Sequence, residues 1–472
     1  MSDRDLVFTP AWQLARLIRA RKLSAVELVE ALLRRIEALN PKLNAYLAIA
    51  AEQALADAKR VESKAASGGD LPPLLGVPVS IKDLVHVKGL PSTGGSLAYK
   101  DFVPMEDAVV VERLRRAGAI ILGKTNTPEF GLSATTENRL GGDGHNPWDL
   151  TRTSGGSSGG AAASVAAGMG PMGLGSDGGG SVRIPASFCG IFGLKPTYGT
   201  IPTHGGHSSM PLFSHLGPLT RTVRDAALFL NATAGYEARD PRSRRAAPTD
   251  YVRALRKPLG ALRVAWTSDL NYAAADPEVV EAVIAAAAVF EDMGCEVEPA
   301  TPEIDPPFGA AFAPMLQADA YTAQGHLLNE KVGLLSETAR KTMEAGSEVT
   351  GRMYSQAMRA VEETRARLED FFEGYDLLLT PATAVPAFLC GERPRDVGGV
   401  ELGRLWGAFP FSVPFNISRQ PAASVPCGFS SEGLPIGLQI VGRYGQDALV
   451  LRASLAFEEA RPWADKRPSL AE

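Results

Sequence analysis

A chain of 472 residues, 45% hydrophobic and 21% charged, is long enough to bury a large core and reads as a globular α/β protein of one large unit or two to three domains. Its net charge of −5, with both signs scattered and no basic run interleaved with aromatics, argues against a nucleic-acid partner. Four dispersed cysteines without a CxxC pair suggest neither a disulfide framework nor a zinc cluster, and a start of Met-Ser-Asp-Arg-Asp with no long apolar run predicts a cytoplasmic protein without a membrane partner.

The first elements are helical. Trp12, Leu14, Leu17 and Ile18 fall at helix spacing, and Ser24-Ala-Val-Glu27 is a capping box opening a second helix that Asn40-Pro41 should stop after Leu39. A third helix is expected over Ile49 to Ser67, before Gly68-Gly69 and Pro72-Pro73. Residues 1–68 are therefore read as a helical lead-in.

From about residue 74 to 240 short apolar runs such as Val77-Pro-Val-Ser-Ile81 and Ala119-Ile-Ile-Leu122 alternate with helices and glycine-rich loops. Eleven glycines and four serines fall between Gly155 and Gly180, but Ala161-Ala-Ala-Ser-Val-Ala-Ala167 interrupts them with a small-residue helix, which favours ordered turns over a flexible linker. Residues 262–302 read strand, helix, strand; long helices run through Glu373; strands return at Leu377-Leu-Leu379 and Leu438-Gln-Ile-Val441 before a helix from Ala448 to Ala460. Strands at both ends of the chain favour one sheet completed late.

Gly118-Ala-Ile-Ile-Leu-Gly123-Lys124-Thr125 comes within one residue of P-loop spacing. Its apolar β-branched interior should be a buried strand whose N–H groups are already paired, so it is set aside as a phosphate site. Gly155-Gly-Ser157-Ser-Gly159 satisfies a nucleophile-elbow pattern, yet no convincing strand precedes it, and none of His204, His207, His215 and His326 stands in a setting that marks a triad base. His204 and His207, three apart, are weak as a metal pair without a third ligand.

A stronger set remains. Pro78-Val-Ser-Ile-Lys82-Asp83 puts a lysine at the end of an apolar strand, Ser157 and Ser158 lie among glycines, and Asp177-Gly-Gly-Gly-Ser181-Val-Arg183 puts a third serine after three glycines. A lysine in a partly apolar site loses part of its preference for the ammonium form and can act as a base. Glycines before a serine let consecutive N–H groups approach one oxygen, as an oxyanion hole requires.

Gly155-Gly-Ser-Ser-Gly-Gly160, Gly173-Leu-Gly-Ser-Asp-Gly-Gly-Gly-Ser-Val-Arg-Ile-Pro-Ala186 and Gly193-Leu-Lys-Pro-Thr197 resemble the defining stretch of the amidase signature family, with Ser181 24 positions after Ser157. The resemblance extends to Gly123-Lys-Thr-Asn-Thr-Pro128, Asn146-Pro-Trp148 and Gly433-Leu-Pro-Ile-Gly-Leu-Gln-Ile-Val-Gly442. It implies an α/β fold: a large mixed, mostly parallel central sheet with helices on both faces, residues 69–472 forming the signature domain and about 240–375 a variable substrate-pocket region.

It further implies Ser181 as nucleophile, Ser157 as a bridging serine on a cis peptide bond, and Lys82 as base. Gly178, Gly179, Gly180 and Ser181 would supply oxyanion-hole N–H groups, and Asp83, Ser158, Asp177 and Arg183 would orient these parts. The implied activity is hydrolysis of a C–N amide-type bond in a small molecule, with no metal and no cofactor; a homodimer is left open. The alternatives are the glutaminase-type subunit of a tRNA-dependent amidotransferase and a non-catalytic binding protein on the same scaffold. Leu140-Gly-Gly142 and Asn416-Ile-Ser-Arg-Gln-Pro421 depart from the family pattern and put the pocket shape in question. Aromatic and aliphatic residues in 307–316, Phe388-Leu389 and 406–411 are expected to make that pocket apolar.

Overall fold

Short strands rich in apolar residues can be buried on both faces, and eleven short strands join into one sheet that is buried through its middle and more exposed at the edge strands Tyr46–Ile49 and Glu296–Pro299. The computed structural model describes residues 3–207, 210–397, 399–403 and 406–471. Its strands are β1 (Tyr46–Ile49), β2 (Pro78–Lys82), β3 (Ile120–Thr125), β4 (Met172–Asp177), β5 (Phe192–Lys195), β6 (His215–Thr220), β7 (Arg263–Trp266), β8 (Glu296–Pro299) and β9 (Leu377–Pro381). A two-stranded pair follows, β10 (Asp396–Val397) with β11 (Val400–Glu401), then β12 (Ala422–Phe429) and β13 (Pro435–Gly442). The large sheet runs β1-β3-β2-β4-β6-β5-β12-β13-β9-β7-β8.

Neighbouring residues of one strand enter different cores. Ile121 of β3 packs with Val79 and Ile81, whereas Ile120 and Leu122 pack with the helices Ala25–Leu43 and Gly159–Ala166. In β9, Leu377 and Leu379 meet the helices Pro277–Asp292 and Asp447–Ala460, and Leu378 faces the cluster around Phe372 and Phe415. Helices therefore cover both faces, as expected.

The expectation of a mostly parallel sheet needs correction. Parallel ladders join β3, β2 and β4 on one flank and β9, β7 and β8 on the other. The middle is antiparallel from β4 through β6, β5, β12 and β13 to β9, and β1 adds an antiparallel edge. Short connections such as the turn between β12 and β13 permit only antiparallel pairing, whereas a parallel crossover needs a dozen or more residues.

Other differences are local. The segment 1–68 is not purely helical, because β1 pairs with β3 and the third helix begins only at Ala51. The second helix continues to Leu43 with Pro41 inside its last turn, closing on left-handed Asn44, whose N–H donates to the Asn40 carbonyl. Ser24 does accept from the Glu27 N–H. The strand β12 was not expected because Pro426 and Gly428 break its pattern; both lie at a register irregularity that spares the ladder. Among the described residues, no helix is long and apolar enough to cross a membrane.

Candidate active site

Strand order brings together side chains far apart in sequence. Lys82 ends β2, which lies between β3 and β4; Ser157 and Ser158 precede the helix Gly159–Ala166; Ser181 follows β4 and precedes the helix Arg183–Cys189. The Ser158 N–H donates to the Ser181 carbonyl at 3.1 Å, tying the two serine loops together. The Gly156–Ser157 peptide bond is cis.

Lys82 is fully buried and meets only neutral oxygens. Its Nζ lies 2.7 Å from Ser157 Oγ, 3.0 Å from Ser158 Oγ, 3.0 Å from Ser176 Oγ and 3.4 Å from the Ser176 carbonyl. Burial drives its pKa well below the ordinary lysine value, against a smaller opposing pull from Asp177. Ser158 donates its hydroxyl hydrogen to the Ser176 carbonyl, so its oxygen can only accept from Lys82. A neutral Lys82 donating to Ser158 and Ser176 keeps its lone pair for the Ser157 hydroxyl. Ser176 was not foreseen as a partner, although it sits inside the recognised glycine-serine stretch.

Two other buried lysines do not touch these serines. Lys124, in the near-P-loop segment, lies on β3 and pairs with Asp83 at 2.8 Å while donating to Ser92 Oγ at 2.7 Å. Lys195 donates to the Gln420 carbonyl and stands beside His215. Asp83 thus serves Lys124 and the Thr93 turn, and does not contact the Lys82–serine group.

A buried polar latch holds the loop before Ser181. Arg183 makes paired bonds of 2.9 Å to the Asp177 carboxylate and also donates to the Ser412 carbonyl, Gln439 and Asn416. Burial alone would raise the Asp177 pKa, but the Arg183 charge and hydrogen bonds, with Lys195 and Asn416, hold it well below the usual carboxylate range. Asp177 in turn accepts from the N–H groups of Gly180 and Val182. Gly180 has φ +123°, and a Cβ there would collide with Ser412 Oγ, so only glycine fits.

That latch narrows the candidate oxyanion set. The Gly180 N–H is committed to Asp177 at 2.7 Å, so its expected role is corrected; the N–H groups of Gly178, Gly179 and Ser181 have no acceptor among the described residues. Replacing Arg183 with Ala would strand a buried carboxylate and is expected to cost about 3–5 kcal/mol of stability. Denaturant unfolding measures this, and a loss below about 1 kcal/mol would show that the latch does not hold the loop.

Ser157 and Ser181 line one pocket with Gly178, Gly179, His207 and an apolar wall. Ser181 Oγ makes no hydrogen bond among the described residues, to Ser157 or any other group, and is left free in the pocket. Phe312 and Trp406 press on the loop: a Cβ on Gly179 would lie 2.7 Å from Phe312 Cζ and 3.2 Å from Trp406. Past Leu132, Leu316 and Trp406 the pocket adjoins a cavity of about 370 Å³ whose walls include Phe308, Phe409 and Pro410. Among the described residues, no Lys, Arg, Asp or Glu lines either space.

The expected apolar segments divide. Phe308, Phe312, Leu316, Trp406 and Phe409 reach these walls, but Phe388 packs on Phe188 and Phe409 inside the core and Leu389 is exposed. Neither departure from the family pattern lines the pocket. Arg419, within the second departure, has φ +66°, and its guanidinium sits 4.3 Å over the Tyr198 ring, a contact that offsets part of the left-handed cost. Gly141 packs on Leu47 and Asn44. His204 is exposed, and no cluster of three metal-ligating side chains exists among the described residues.

Residues 27–451 match the Amidase family model. The chain is 39% identical over 472 residues to an acylamidase of Rhodococcus erythropolis, covering 99% of each. It is 37% identical over 491 residues to a subunit of the glutamyl-tRNA(Gln) amidotransferase of Moorella thermoacetica, again covering 99% of each. Among solved structures it matches a bacterial aryl acylamidase of the amidase signature enzymes with a TM-score of 0.92 and 31% identity over 97% of both chains. It matches 6-aminohexanoate cyclic dimer hydrolase in complex with substrate with a TM-score of 0.90 and 34% identity, over 99% of this chain and 100% of the other.

Proposed function

The chain belongs to the amidase signature family and hydrolyses amide C–N bonds, and from that premise we propose that it cleaves apolar amides, above all aryl amides, through an acyl-enzyme on Ser181. The observation that carries the mechanism is Lys82 Nζ, buried and 2.7 Å from the Oγ of Ser157, which lines the same pocket as Ser181. Neutral Lys82 takes a proton from Ser157 as Ser157 takes one from Ser181, and Ser181 Oγ attacks the acyl carbon. The N–H groups of Gly178, Gly179 and Ser181 then receive the oxyanion, which is worth several kcal/mol where donors are already aimed. Ser157 passes its proton to the departing nitrogen, without which an amine leaves poorly, and water releases the acyl group by the reverse route. Catalytic hydrogen bonds often tighten only with substrate bound, so the free Ser181 hydroxyl is compatible with this relay.

The substrate class rests on the walls. Burying the ammonium and carboxylate of free glutamine costs several kcal/mol unless each finds a charged partner, and the described residues of the pocket offer none. A groove that shares only Leu132 with the reaction pocket does carry Glu129, Glu137 and Arg139, but Glu129 is occupied by Ser96 and the Ser336 N–H. The reading as an amidotransferase component, which the relative from Moorella keeps in view, needs such a clamp. Four free cysteines suit a reducing compartment, and the cytoplasm is the proposed location.

The purified chain, without partner subunits, is expected to show a kcat/KM for a 4-nitroanilide at least about a hundredfold above that for glutamine. Preference for glutamine, or turnover seen only when partner subunits are added, would promote the amidotransferase reading.

A further inference from the structure

Among the described residues lining the reaction pocket, His207 is the only side chain that offers an imidazole, and the walls around it include Leu84, Phe130 and Met210. Its Nε2 lies 2.7 Å from the Ser92 carbonyl oxygen, which can only accept, so Nε2 carries the hydrogen. That tautomer leaves Nδ1 with a lone pair. Nδ1 has no partner among the described residues and, unlike Nε2 of neighbouring His86, is not sealed from solvent.

The ring is held, not loose. Its backbone N–H donates to the Leu84 carbonyl at 2.8 Å, and the ring lies 5.1 Å from Tyr99 and 5.2 Å from His86. Ser92 is itself fixed through the Lys124 ammonium, which holds Asp83. Burial lowers the His207 pKa, with the Ser92 bond opposing only in part, so the imidazole is neutral at pH 7. A free acceptor on a held ring, in a wall where the other polar side chains are serine hydroxyls, is a recognition element, because pockets fix their ligands through a few placed polar groups.

We propose that His207 is a specificity-determining residue whose Nδ1 accepts the N–H of the scissile amide, so that the enzyme selects amides bearing a hydrogen on nitrogen over esters of the same acyl group. This assignment rests on the acyl-enzyme reading above. The hydrogen held by Nδ1 is not transferred. Its bond turns the nitrogen so that the lone pair faces Ser157, which donates the proton as the C–N bond breaks and a neutral amine departs. An ester presents no such hydrogen and gains nothing from the acceptor.

The test uses the full-length protein with 4-nitroacetanilide and 4-nitrophenyl acetate. His207→Gln keeps a donor at the Nε2 position for Ser92 and removes the Nδ1 acceptor; His207→Asn places an amide oxygen near the Nδ1 position. The glutamine variant should lose about ten- to a hundredfold in kcat/KM on the anilide while ester turnover stays within about threefold, and the asparagine variant should keep most of the anilide activity. Equal losses on both substrates mean a merely structural role, an unchanged anilide rate means none, and an asparagine variant as poor as the glutamine one removes the acceptor as the cause; each overturns the assignment. Ser181→Ala is the control: if it retains turnover of both substrates, the acyl-enzyme reading itself falls, and this assignment with it.

Discussion

Ser181→Ala is expected to lower kcat/KM on an anilide by a thousandfold or more, roughly 4 kcal/mol of transition-state stabilisation at about 1.4 kcal/mol per tenfold. The reason is that the proposed acyl-enzyme forms on the Ser181 oxygen, and alanine leaves no atom there to attack the acyl carbon. Folding should be unaffected, because Ser181 Oγ makes no hydrogen bond among the described residues and its removal strands no buried partner. The backbone N–H of residue 181 also survives the change, so the oxyanion site persists and a residual rate above that in water is expected. Thermal unfolding and circular dichroism check the fold while initial rates check the chemistry. A variant free of contaminating hydrolase that keeps more than about a thousandth of the wild-type rate moves the nucleophile elsewhere.

Lys82→Met should be nearly as damaging and should also remove a pH dependence. The folded pKa of Lys82 lies well below the ordinary lysine value because burial disfavours the ammonium. Below that lowered pKa the amine is protonated and cannot take a proton; above it the amine is free. The wild-type kcat/KM must therefore rise with pH through the Lys82 pKa and then level off, and the methionine variant, active only at a residual rate, should lack that limb. Methionine retains most of the stem volume in a fully buried site, so the cost falls on the three serine hydroxyls left with one partner fewer. A wild-type rate that falls steadily between about pH 6 and 9 on a stable enzyme would contradict the role of Lys82 as base.

Much of the candidate site's local geometry was legible in the sequence because its demands are local. Two of the three consecutive glycines before Ser181 are required, Gly180 because it takes φ +123° and Gly179 because Phe312 leaves no room for a Cβ. A lysine ending an apolar strand, as Lys82 does, signals a buried amine that other parts of the chain must engage. Helix starts were also written locally, as in Ser24 capping Glu27. The antiparallel middle of the sheet was less legible: glycine-rich β4 and proline-interrupted β12 carry weak strand preference and are held by their neighbours.

What the sequence determined by itself is the chemical inventory, namely a strand-end lysine, two serine loops and a glycine run, since each needs its residue types in contiguous order. What only the tertiary structure decided is who meets whom. Sheet order, not spacing, gives Lys82 the serines and gives Lys124 to Asp83, though both lysines stand in apolar strand segments. The partners of Arg183 at Asn416 and Gln439 come from more than two hundred residues away, and the Asp177 carboxylate that Arg183 and Asn416 hold is the group that takes the Gly180 N–H. The exposed state of a side chain is equally non-local: Phe308 and Phe388 are alike in sequence, but one faces the cavity and the other the core, because burial depends on what the rest of the chain packs against it.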